Sequence, residues 1–194
     1  ALLREIEKSS VYYRHRRRAR IMDARLIAQI FNDGVGSKYQ TLLKGGRSEP
    51  VFIPNKNMND VIYYKSDYGS SALHEVAHWC VAGPDRRKLV DYGYWYTEFR
   101  DAEQQLAFEQ HEVKPQALEW IFSQGAGIQF RLSVDNFQRI KSGCPDFKIA
   151  VRSEAISLTS SINKRALSFL TDLISVSGLE HALLPETYRK IPSC

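Results

Sequence analysis

The string His74-Glu75-Val76-Ala77-His78 holds the residue types and spacing that chemistry at a metal ion requires. At about 3.6 residues per turn, its two histidines fall one turn apart on one helix face, where their imidazoles can converge on a single ion. Glu75 lies beside them, placed to take a proton from a metal-bound water or to hold a substrate amine. A helical pair fills only two coordination positions, so a third ligand must come from elsewhere. The longer zinc-protease pattern, with a third histidine a few residues on, is absent because Pro84 and Asp85 stand there. The next candidates are Glu109 and Glu112, which share a face of a second predicted helix. Glu112, just before the break at Pro115, is the expected ligand, and Glu109 is expected as a surface charge. His111 should point off that face. Two histidines and a carboxylate leave coordination positions open, a ligand set that serves both catalytic zinc and non-haem Fe(II).

Two further groups of residues bear on the chemistry. The run Tyr92-Gly93-Tyr94-Trp95-Tyr96 reads as packing or as an aromatic cage for a cationic substrate, with Asp91, Glu98 and Asp101 supplying negative charge nearby. Cys80 is rotated about 200° round the helix from His78 and is expected as a buried thiol.

The elements that must position these residues can be read from periodicity. A helix is predicted over 24–31 and ends at Asn32-Asp33-Gly34; Lys44-Gly45-Gly46-Arg47 reads as a turn. Strands are predicted over 50–54, bracketed by prolines as on a sheet edge, and over 61–64. The metal helix should be capped near Ser70-Ser71, run through 73–81 and stop at Gly83-Pro84. A second helix is predicted over 101–113, with Pro115 either kinking it or opening a new helix that continues to Gly125. A single final helix is expected over 152–176.

The chain has 194 residues, 43% of them hydrophobic, which suits one domain with a true core and excludes disorder over its length. No apolar run approaches the ~18 residues of a membrane span. Residues 1–25 carry eight Arg and Lys against three Asp and Glu, so the net charge of +5 belongs to this stretch and the remainder is neutral. The basic run Arg14-His15-Arg16-Arg17-Arg18-Ala19-Arg20 therefore reads as an arm, and the body is not built to hold nucleic acid. Three widely spaced cysteines argue for a reducing compartment, and the charged start of the chain does not read as an export signal; a cytoplasmic protein is expected. The organisation predicted is a basic arm over 1–20 and one α+β catalytic domain over 21–194.

At this point the residues resemble a known family, the bacterial elongation factor P hydroxylases. The resemblance rests on Ser71-Ala72-Leu73-His74-Glu75-Val76-Ala77-His78-Trp79-Cys80, on Arg87-Lys88-Leu89-Val90-Asp91-Tyr92-Gly93-Tyr94-Trp95-Tyr96, on Arg100-Asp101-Ala102 and Phe108-Glu109, and on Glu112-Val113-Lys114-Pro115-Gln116-Ala117-Leu118-Glu119-Trp120. It covers about four-fifths of the chain. It implies a zincin-like domain, a small sheet packed against helices, with the metal site on the His-Glu-x-x-His helix. The implied activity is hydroxylation of a lysine of elongation factor P that already carries a β-lysyl group, with molecular oxygen as co-substrate and non-haem Fe(II) as the metal. Carried over residue by residue, His74, His78 and Glu112 match the ligands and Glu75 the motif glutamate. The substrate brings an aliphatic stem ending in ammonium groups, which Asp91 or Asp101 would meet while Tyr94, Trp95 or Tyr96 line the stem. From the motif alone, the competing expectation is a zinc peptidase with Glu75 as general base.

Overall fold

The structure, a computed structural model, describes residues 22–94, 100–134 and 144–193. Its first element is α1 (Ala24–Phe31), opened by Asp23, whose carboxylate accepts the Leu26 N–H at 2.8 Å. Such a cap contributes about 1 kcal/mol. After Phe31 the chain turns sharply at Gly34, and the Asn32 side chain both accepts from the Leu43 N–H at 2.7 Å and donates to the Leu43 carbonyl at 3.1 Å. That pair of hydrogen bonds fastens the end of α1 to the sheet.

The sheet has three strands, β1 (Thr41–Arg47), β2 (Val51–Ile53) and β3 (Asp60–Lys65), in the order β1-β3-β2. β1 runs parallel to β3 and β2 antiparallel to it, with Leu43 and Phe52 both opposite Ile62. The strand expected between two prolines is thus an edge strand. The stretch 44–47, expected as a turn, is instead the end of β1. A Cβ on Gly45 would lie 2.6 Å from the Tyr64 ring, and Gly46 takes a φ of 91° at the irregularity between Lys44 and Arg47. The two glycines serve close approach and a bulge, not a reversal of the chain.

Helix α2 (Gly69–Val81) begins slightly earlier than its serines suggest. Ser71 does not cap it; its hydroxyl accepts the Lys65 N–H at 2.9 Å and ties the helix to β3. Helix α3 (Ala102–Ala126) runs unbroken through Pro115 and ends at Gly127 in the left-handed conformation. The final helix expected is two helices, α4 (Pro145–Ser161) and α5 (Lys164–Ser177). Asn163 separates them: its side chain accepts the N–H groups of Arg165 and Ala166, a cap that restarts the helix. An apolar period that continues across 162 hides this break from the sequence.

The architecture is α+β, with α2 and α3 packed together at the centre, the sheet against one side of α2, and α4 and α5 against α3. Edge-on aromatic pairs Phe31–Trp79, Phe31–Phe169 and Phe122–Phe169, with centroids 5.0–5.7 Å apart, join α1, α2, α3 and α5 in one core. Among the described residues, no helix is long and apolar enough to cross a membrane.

Candidate metal centre

Leu73, Val76 and Ala77 bury the inner face of α2 completely, which fixes its rotation and sets His74 and His78 at the boundary towards α3. The C-terminal end of α2 is held from α5. Arg165 donates to the carbonyls of Cys80 and Ala82 at 2.9 and 2.7 Å, and the Asn163 amide donates to Cys80 at 3.1 Å. A cation bonded to the last carbonyls of a helix is favourable for its dipole, and here it also anchors the turn that carries His78. Cys80 is a buried thiol, as expected, and burial pushes its pKa up.

Across from α2, helix α3 presents Glu112, Gln116 and Glu119 on one face at spacings of four and three. One Glu112 oxygen lies 3.2 Å from Nε2 of His78, the other 3.5 Å from Nε2 of His74, and the two Nε2 atoms are 3.0 Å apart. His74, His78 and Glu112 each offer one donor atom within 4.8 Å of the others. The convergence of two imidazole nitrogens and a carboxylate fits one divalent ion of the nitrogen- and oxygen-binding kind. Gln116 steadies Glu112: its amide donates to Glu112 at 3.2 Å and to the Ser133 carbonyl at 2.8 Å while accepting the Ser133 N–H at 3.0 Å.

The structure adds one group that the residue types and spacing do not mark out, Glu119, and corrects the placement of another, Glu109. Nδ1 of His74 lies at hydrogen-bond distance, 2.9 Å, from a Glu119 carboxylate oxygen, and Glu119 is only 5% exposed. The available signal was its place two helical turns after Glu112. Glu109 is also buried, not a surface charge; it accepts the Gln105 amide at 3.1 Å and lines a separate cleft between α3 and α4. It does not join the cluster of three.

The electrostatics follow from this crowding. Burial disfavours a charge on His74, but the hydrogen bond and field of Glu119, with Glu112 and Glu75 nearby, lift its pKa from 6.5 to about 10. Burial would raise Glu112; the two histidines and Gln116 outweigh it and lower the carboxyl to about 2. Glu75 is raised, chiefly by burial, against the pull of both histidines. These shifts favour a proton on His74, which a divalent ion would have to displace in order to bind there.

A cleft of about 310 Å³ opens beside His78 and is lined by Tyr92, Tyr94, His111, Pro115 and Arg86. Asp91 and Tyr92 both adopt left-handed backbone, with φ of 46° and 58°. The Asp91 carboxylate accepts the Phe52 N–H at 2.8 Å, which latches this turn to β2 and places the Tyr92 ring between Phe52, 4.5 Å away, and His78, 6.4 Å away. Backbone of this kind in bulky residues persists only where its surroundings enforce it. A larger cleft of about 540 Å³, the one that holds Glu109, touches none of the three candidate ligands. The smaller cleft is the one that reaches the metal centre.

A profile of the family described as elongation factor P hydroxylase matches residues 30–185. The chain belongs to that family. A Haemophilus influenzae protein named elongation factor P lysine hydroxylase is 40% identical over 158 residues, which span 79% of this chain and 89% of the relative.

Within this member of the hydroxylase family, the other residues expected to bind substrate fall as follows. Tyr94 lines the cleft beside His78, its ring 5.2 Å from that of His111 and 4.2 Å beneath the Arg86 guanidinium. Asp91 stands half-buried at the latched turn and within the field of His78. Asp101 caps α3, accepting the Gln104 N–H at 2.8 Å while Gln104 accepts the Asp101 N–H. Trp95 and Tyr96 lie outside the described residues, as does the arm over 1–20.

Proposed function

We propose that this chain hydroxylates the β-lysylated lysine of elongation factor P, using Fe(II) bound by His74, His78 and Glu112. The convergence of those three side chains, in a chain of this family, carries the reading. When bound, iron would supply the redox-active centre that oxidising a C–H bond with dioxygen demands, which zinc cannot do. The protein's own part is to hold three donors on two packed helices, α2 and α3, with Glu75 off the ion and raised by burial so that it can hold or release a proton beside it. The cleft beside His78 would admit the modified side chain. Its walls of Tyr92 and Tyr94 suit an aliphatic stem, and Asp91, at the turn that carries Tyr92, would meet an ammonium group. Asp101 lines the larger cleft with Glu109, away from the three ligands, and could meet an ammonium group only from there.

The family relationship favours this over the zinc peptidase that the five-residue motif alone suggests. Metal analysis of protein purified without oxygen separates the two. Iron in the site supports the hydroxylase, and a site that accepts zinc alone under every loading contradicts it. Residues 21–194 would form the single catalytic domain, with residues 1–20 an arm that attracts an acidic partner.

A further inference from the structure

We infer that Glu119 is a positioning residue for the metal, holding the Nδ1–H of His74 so that the lone pair of Nε2 faces His78 and Glu112. The inference rests on the metal site proposed above and requires no particular metal. Three observations support it. The Nδ1 to Glu119 distance is 2.9 Å, and the carboxylate is on the opposite side of the imidazole from the three donor atoms. A neutral imidazole carries one N–H and one lone pair, so donation at Nδ1 leaves Nε2 as the acceptor that a metal needs. Finally, Glu119 is buried and its carboxylate bonds to His74, a ligand in the cluster, so the bond orients the very ring that must reach the ion.

The placement also explains why one helix carries both carboxylates. Glu112 and Glu119 are seven residues apart on α3, so one rigid element sets the position of one ligand and the orientation of another. A salt link that merely joins α2 to α3 would need neither the choice of Nδ1 nor the alignment of Nε2 with Glu112.

The test is a cobalt(II) titration of the metal-depleted full chain, read by the visible absorption of the bound ion. It is paired with nitrogen NMR of the His74 ring. Glu119→Gln keeps a hydrogen-bond acceptor and loses the charge; Glu119→Leu loses both. We expect cobalt affinity to fall roughly 10–100-fold in Glu119→Leu and by less in Glu119→Gln. Read at a pH high enough for the ring to be neutral, His74 should shift from the Nδ1–H form to a mixture of tautomers in the leucine variant alone. If the leucine variant fails to fold, the glutamine variant still reports through its affinity. Both variants binding cobalt as tightly as wild type, with the His74 tautomer unchanged, overturns the inference. A wild-type chain that binds no cobalt, or binds it undiminished after His74→Ala, removes the metal site itself and the role of Glu119 with it.

Discussion

His74 is pulled two ways: its ring must be neutral to bind a metal, yet its carboxylate neighbours favour the cation. Its pKa, lifted from 6.5 to about 10 in the metal-free protein, means that its contribution to stability is complete below pH 6.5 and is lost as pH rises through 10. Glu112, lowered from 4.5 to about 2, contributes above pH 4.5 and loses that contribution as pH falls through 2. Both contributions are in force between pH 4.5 and 6.5. Metal binding below pH 10 must displace the His74 proton, so apparent affinity should rise with pH by up to about tenfold per unit and level off near 10. Titrations across that range check this, and a flat profile contradicts it. The ligand assignment is open to substitution: His74→Ala, His78→Ala and Glu112→Gln should each lower metal occupancy and abolish activity. Glu109→Gln should leave the metal in place. Glu75→Gln should retain metal and lose turnover, and finding it stripped of metal would make Glu75 a ligand.

At the scale of elements, the metal helix was legible because its evidence is local: two histidines one turn apart among residues that bury their own helix face. Glu119 was not, since a glutamate on a helix reads as solvated until the partner helix is in place, and its partner lies 45 residues away. The break at Asn163 was hidden because Asn163 caps α5 and bonds Cys80 of α2, a contact remote in sequence. Likewise the end of β1, residues 44–47, reads as a turn in the sequence because the reason for Gly45 is the ring of Tyr64. Asp101 shows how an element's needs overlap with function. As the cap of α3 its removal in Asp101→Ala should cost about 1 kcal/mol, measured by denaturant unfolding, whereas Asp101→Asn should retain that stability because asparagine caps equally well. The asparagine variant therefore isolates the charge. Weaker binding of β-lysylated elongation factor P by this variant, at unchanged stability, would assign Asp101 to the substrate as well; unchanged binding leaves it a cap alone.

For the whole molecule, the separation of a basic stretch from a neutral body was plain from charge counts, and the α+β class from the alternation of short strands and long helices. What the sequence could not supply was the packing of α2 on α3, which turns scattered carboxylates into one centre. If residues 1–20 attract an acidic partner, deleting them should slow association with elongation factor P at low salt and flatten its dependence on ionic strength below about 0.15 M, with metal content unchanged. An identical salt dependence after deletion would show the arm to have no part in encounter. The central claim, that two histidines and Glu112 hold an iron which oxidises a lysylated lysine, meets its most direct test in mass spectrometry of β-lysylated elongation factor P after incubation with the iron-loaded protein under isotopically heavy dioxygen, with excess chemical reductant to supply the two electrons that take the second oxygen atom to water. The account predicts a gain of one heavy oxygen atom on the modified lysine, absent with zinc and absent with His74→Ala. No oxygen gained with iron, or peptide cleavage in the presence of zinc, would contradict it.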